Sequence, residues 1–193
     1  MYTLAEERYS EEAEPLLRQF FVSDDPYDTP FANEVDDKHI LYEYWYEMES
    51  PLLDAITHVA RVYKDEGFYV TILDRPSGKE QKQPYHWYIR FDDIDKYPNI
   101  VGPFQNVIYS ASGLWAIMCS DEHHGLLGGR QDFINNIIAL LPDITDQVDS
   151  FLDFWAKNKL VLNSDVRWLP SLLQNTYGTK KAQELLLKHG FID

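Results

Sequence analysis

Residues 110–129 read SASGLWAIMCSDEHHGLLGG. The run Leu114-Trp115-Ala116-Ile117-Met118-Cys119 is apolar at odd and even positions alike. That is the pattern of a central strand buried on both faces. A strand of this kind needs neighbours on either side and cover above and below. Ser120 through His124 then reads as a polar hairpin turn facing water, and residues 125–127 as the returning strand.

The strands multiply upstream. Residues 106–110 form one more. Phe68-Tyr69-Val70-Thr71-Ile72-Leu73 and Tyr85-His86-Trp87-Tyr88-Ile89-Arg90-Phe91 form two others, joined by a polar loop holding Pro76 and Gly78. The links between the later strands are too short for crossover helices, so an antiparallel meander is the economical arrangement. Residues 92–102 read as a connection.

On both sides of this block the apolar period turns helical. Downstream, Phe133, Ile134, Ile137, Ile138 and Leu141 form one stripe, ended by Pro142. Asp143 or Thr145 caps the next helix, which carries Val148, Phe151, Leu152 and Trp155. Pro170 opens a short helix, and Thr179 caps the last one, with Gly190 as its stop. Upstream, residues 4–21 read as a first helix, with a start signal at Ser10 and its acids. Residues 40–48 read as an aromatic, acidic helix. Ser50-Pro51 opens another helix that Gly67 closes. The expectation is a single domain over 1–193. It comprises an N-terminal helix (1–22), an acidic loop (23–39), helices (40–66), a sheet (67–129) and a helical C-terminal part (130–193). The class is α+β, with an antiparallel sheet of about five strands flanked by helices.

With 193 residues, 45% of them hydrophobic, the chain has the means to bury a core. No apolar run reaches the ~18 residues of a membrane span. The first residues lack the basic and apolar regions of a secretory signal, and one cysteine makes no internal disulfide, so the expected compartment is the cytoplasm. The net charge of −15 is lopsided. Residues 1–66 carry 17 Asp/Glu against 5 Lys/Arg, and residues 67–193 carry 15 against 12. Such a field repels nucleic acid and anionic membranes and speeds encounter with a basic protein partner.

Chemical motifs are sparse. Cys119 lies in the doubly apolar strand, where a free thiol behaves as a small hydrophobe. Asp121, Glu122, His123 and His124 are metal-ligand types, but neighbours in an extended chain point to opposite sides. Neither they nor His86, His58 and His39 stand at a recognised ligand spacing. Leu127-Gly128-Gly129-Arg130 before a helix offers backbone amides to a phosphate, yet lacks both the GxxxxGK[ST] and the GxGxxG pattern. Two glycines at such a bend serve backbone geometry first. The expectation is therefore a protein that is not an enzyme, with no metal and no cofactor. The alternatives are a small metal-dependent hydrolase using His86, Asp121, Glu122, His123 or His124, and an adaptor module.

The block Asn106-Val107-Ile108-Tyr109-Ser110, Gly113 to Met118, Ser120 to His123 and Gly125 to Gly129, with His86-Trp87-Tyr88-Ile89 before it, resembles small bacterial immunity-type proteins. These accompany polymorphic or contact-dependent toxins. The resemblance covers about residues 85–135 and implies a protein that protects its producer by binding a toxin. It carries over no active-site residues.

The richest candidate for a binding surface is residues 36–49, with four aromatics and five acids among Tyr42 to Glu49 and the preceding aspartates. If helical, one side is core and the other presents tyrosines beside carboxylates. Tyrosine is a favoured binding anchor, and carboxylates pair with arginine. The partner-binding residues expected are Asp36, Asp37, Glu43, Tyr44, Tyr46, Glu47 and Glu49.

Overall fold

A computed structural model describes residues 1–42, 50–74, 84–102, 104–120 and 123–192. Among these, seven strands form one antiparallel sheet: β1 (Tyr2–Thr3), β2 (Asp37–Tyr42), β3 (Gly67–Ile72), β4 (His86–Arg90), β5 (Asn106–Ser110), β6 (Trp115–Cys119) and β7 (His124–Gly129). Their order is β1-β4-β3-β5-β6-β7-β2. The helices are α1 (Glu6–Arg8), α2 (Glu14–Phe20), α3 (Ser50–Val62), α4 (Pro98–Val101), α5 (Gln131–Leu140), α6 (Gln147–Leu162) and α7 (Leu169–Lys188).

The sheet is the middle of three layers. Along β6, Ala116 and Met118 face one core, while Trp115, Ile117 and Cys119 face the other, and all five are fully buried. α2, α6 and α7 cover the first face through Leu17, Phe20, Phe151, Trp155, Leu172 and Leu185. α3, α5 and the 3-10 turn Phe91–Lys96 cover the second through Leu52, Ile56, Phe133, Ile137 and Phe91. The two-sided apolar pattern of β6 thus reflects helices on both faces; β5–β6–β7 is a meander as expected, but β5 pairs with β3 and not with β4, so the consecutive order is broken there. No helix among the described residues is long and apolar enough to cross a membrane.

Several local expectations are corrected. The sheet has seven strands instead of about five, because the N-terminal third contributes both edges. β2 replaces the expected loop end and the start of an aromatic helix. Ile40 and Leu41, adjacent and both fully buried, belong to opposite cores, which only an extended chain allows. The remaining residues of the expected helix, from Glu43 to Met48, lie outside the described residues. The first helix starts at Glu6, not at a Ser10 cap. A π-helical turn, Tyr9–Ala13, follows α1 and leads into the Pro15-containing start of α2. α3 does not end on Gly67. Its left-handed position is Lys64 (φ 59°), while Gly67 opens β3, where a Cβ would stand 2.4 Å from the Ile89 carbonyl oxygen. Neither Asp143 nor Thr145 caps α6; both lie in the 3-10 turn Pro142–Asp146 before it. The helical stretch after Pro170 breaks at Gly178, just before Thr179, and Gly190 (φ 71°) follows its end.

Edge strand β2 is closed to further pairing. The Tyr177 hydroxyl accepts from the Ile40 amide at 3.0 Å, and the Gln147 side-chain carbonyl accepts from the Tyr42 amide at 3.1 Å. Side chains from α7 and α6 thereby satisfy backbone donors that would otherwise invite another strand.

Candidate partner-binding surface

At one end of the sheet a groove of about 340 Å³ is lined by Gln19 and Phe20 from the end of α2, Glu34, Val35 and Asp36 from the loop before β2, Gly113, and Gly129 and Arg130 from the β7–α5 junction. The loop that carries its acids is anchored, not loose. Phe21 and Phe31 form an isolated antiparallel bridge and stack at 5.1 Å. The Phe31 amide donates to Asn175 Oδ1 at 2.8 Å, and Asn175 Nδ2 donates back to the Phe31 carbonyl at 3.1 Å. Phe31, Ala32 and Val35 are core residues, whereas Glu34 and Asp36 are exposed. Alternation between buried anchors and exposed acids holds two carboxylates at the rim of a preformed concavity.

Those two carboxylates make no ion pair and no side-chain hydrogen bond to another described residue. The groove's cation, by contrast, is engaged. Arg130 Nε and Nη2 grip Asp132 at 3.1 and 2.7 Å, and the guanidinium sits 5.8 Å from the Tyr63 ring centroid. This hydrogen bonding from Arg130 holds the Asp132 carboxyl below its ordinary range. The groove therefore presents net negative charge.

Of the seven expected binding residues, the structure places two. Asp36 lines the groove. Asp37, half-buried on β2, has its carboxylate occupied. It accepts from the Lys38 amide at 3.0 Å and from Gln131 Nε2 at 2.8 Å, and lies 3.1 Å from His39 Nε2. Burial alone would raise its pKa, but these donors outweigh burial and hold it below the ordinary value. Asp37 thus ties β2 to α5 and supports the groove from behind. Glu43, Tyr44, Tyr46, Glu47 and Glu49 lie outside the described residues. Reading the sequence misses Glu34, Gln19 and Phe20, whose approach to Gly113 and Arg130 is created only by the folded loop.

The candidates for chemistry separate. His86 and His124 sit four strands apart, about 19 Å at the usual ~4.8 Å spacing. His86, 1% exposed, stacks on Tyr9 with ring centroids 3.5 Å apart, and its Nδ1 is 3.2 Å from Thr71 Oγ1. His124 does not face water as the turn reading expects. It is fully buried, with Nδ1 3.0 Å from Ser120 Oγ and its ring stacked on Trp168 at 6.0 Å. His123, at φ 64°, turns away toward Phe154. Asp121 and Glu122 lie outside the described residues. Among the described residues no group of three or more His, Cys, Asp or Glu could hold a metal. Cys119 is buried in the core.

The glycine pair serves close packing. A Cβ on Gly128 would meet the Phe31 ring at 2.7 Å, and one on Gly129 the Leu114 carbonyl oxygen at 2.6 Å. At the start of α5 the Phe133 amide is already taken by Asp132 Oδ1 at 3.0 Å. A carboxylate of the chain itself fills the role that a phosphate would play there.

No family model, curated protein or solved structure matches this chain.

Proposed function

We propose that this protein is a non-catalytic binding protein. It docks a basic partner on the acidic surface around the Glu34–Asp36 groove, as an immunity protein that neutralises a bacterial toxin by covering its cationic active site. The supporting observation is the pair of exposed carboxylates, held at the rim of a concavity by buried anchors, with Lys38 near enough to attract Glu34 but no ion pair or side-chain hydrogen bond to either among the described residues. A charge left unpaired on a rigid frame loses little side-chain freedom when a guanidinium or ammonium enters. A toxin acting on polyanionic nucleic acid carries a positive cleft, and the −12 net charge of residues 1–66 would steer that cleft toward the groove. The two core histidines, His86 and His124, sit four strands apart, each stacked on an aromatic ring and beside a hydroxyl, which fits structural roles better than a hydrolase.

The reading is tested by searching the neighbouring genes for a toxin domain and co-expressing the chain with the one found there. The wild-type chain is expected to rescue growth, and a Glu34→Lys/Asp36→Lys variant to fail while remaining folded. Equal rescue by both, or rescue by neither, overturns it.

A further inference from the structure

α7 is two helical pieces joined at one residue. Gly178 breaks it with φ 77° and ψ 162°, a backbone conformation that is essentially glycine's alone. A Cβ at that position would meet nothing within 4 Å, so the joint is not packed against a neighbour. Before the joint, α7 is fastened to the N-terminal third: Asn175 clamps Phe31, and the Tyr177 hydroxyl accepts from the Ile40 amide. Beyond it, Ala182, Leu185 and Leu186 share a core with Leu152 and Trp155 of α6. The polar links from this outer piece to α6 come from Lys188 and His189.

His189 sits between two carboxylates of α6. Its Nδ1 is 2.8 Å from Asp153 Oδ1 and its Nε2 is 2.8 Å from Asp149 Oδ1, and its side chain is 5% exposed. A carboxylate only accepts, and a neutral imidazole has a single N–H. Both contacts are therefore satisfied only by the imidazolium. The C-terminal end of α7, where the ring sits, favours the same charge. Lys188 Nζ adds a third donor, 2.8 Å from Asp149 Oδ1. Hydrogen bonding from Lys188, and then from His189, holds the Asp149 carboxyl below its ordinary range against burial. Lys159 of α6 lines the same groove as His189, with its Nζ 5.5 Å from the Phe191 ring centroid. The Asp149 charge also reaches the Tyr177 phenol, which burial keeps protonated. Asp193 lies outside the described residues.

We infer that His189, Asp149 and Asp153 form a pH-sensitive clasp that holds the segment beyond Gly178 on α6, closed while the imidazole is protonated and loosened when it is neutral. A neutral ring leaves one of the two carboxylates facing a lone pair. The closed form holds both ring protons, and opening frees the ring to release one. Rising pH therefore favours opening, by at most about tenfold per pH unit for a single proton. Histidine is the side chain whose ordinary charge change falls nearest neutrality. Opening turns the outer piece about Gly178 and leaves in place the part of α7 that anchors the acidic loop. The clasp is thus independent of docking at Glu34 and Asp36.

The test is native-state hydrogen exchange of the full chain, read by NMR at about pH 6 and about pH 8.5 and corrected for the intrinsic pH dependence of exchange. The opening constant for the amides of residues 182–189 is expected to rise about fivefold or more between the two, and that for residues 172–177 by less than about twofold. In Asp153→Asn the carboxamide donates to a neutral Nδ1, so the closed form no longer needs the second proton. Its rise is expected to shrink below about twofold, with circular dichroism verifying the fold. Nitrogen NMR shifts of the wild-type His189 ring at about pH 6 are expected to show both nitrogens protonated. Four results overturn the inference: no rise in wild type; an equal rise on both sides of Gly178; an undiminished rise in Asp153→Asn; or an unprotonated ring nitrogen at the lower pH. If the variant does not fold, the wild-type exchange and ring signals decide alone.

Discussion

Two sets of carboxylates in this molecule have opposite fates. Asp65, in the turn between α3 and β3, is 4% exposed. It accepts from Ser110 Oγ at 2.6 Å and from Ser112 Oγ at 2.9 Å. Burial raises its pKa, against the pull of those hydroxyls. It fastens the end of α3 to the β5–β6 turn. Glu34 and Asp36 sit on an equally well-fixed loop, with no such partners among the described residues. The same chemical group is consumed by the fold in one place and left available in the other. Interior polarity here, including His86, His124 and Thr71, is spent on structure, while the unspent charge lies at the surface. That division of roles is what supports the proposed binding function.

Stability measurements break or sharpen this contrast. Asp65→Ala leaves two hydroxyls near the core without their acceptor, and is expected to destabilise by about 2–4 kcal/mol. Urea denaturation with an unchanged m-value measures it, and a loss below about 0.5 kcal/mol would mean that the buried carboxylate is idle. Tyr9 comes next. Burial, and then the nearby Glu14, push its pKa up to about 12 from the ordinary 10.0. A raised phenol pKa favours the protonated form in the folded chain. Its contribution is therefore complete below about pH 10 and lost as pH rises through about 12. Tyrosinate absorbance should show Tyr9 titrating late, and Tyr9→Phe should flatten the alkaline fall in stability. Asp149→Asn is smaller, below about 1 kcal/mol, because the group is partly exposed. Hydrogen bonding from Lys188, against opposing burial, lowers the Asp149 pKa. Its contribution is present above the unfolded value and lost as pH falls through the folded one, and acid titration of the variant beside wild type checks the sign. Smallest of all, Glu34→Lys/Asp36→Lys is expected to change stability by no more than about 0.5 kcal/mol per site. A larger loss in thermal or urea melts would return these carboxylates to the structural set.

What the sequence reveals follows from how local each cause is. The two-sided burial of β6 is written in six consecutive apolar residues, the β5–β6–β7 pairings follow from short links, and the β3–β4 pairing from two apolar runs joined by one polar loop. β2 is hidden because Lys38-His39-Ile40-Leu41-Tyr42 runs into an aromatic, acidic stretch with helical spacing. Its extended form is imposed by β7 and by side chains of α6 and α7 more than 100 residues away. β1 is two residues long and has no periodicity to detect. His124 reads as a turn residue because its burial comes from Tyr27, Phe151 and Trp168, distant in the chain. At the groove, composition points to the acidic third, and Asp36 is found. Glu34 is not, because only the Phe31–Asn175 clamp and the Gly113 turn bring its loop to Arg130.

The central claim is that Glu34 and Asp36 are the contact for a basic partner. The most direct measurement is calorimetric titration of the chain with a candidate basic toxin domain, at low and at high salt. The account predicts binding that weakens as salt rises, and a loss of about tenfold for each of Glu34→Lys and Asp36→Lys with folding intact. Affinity that is indifferent to salt and unchanged by both charge reversals would contradict it.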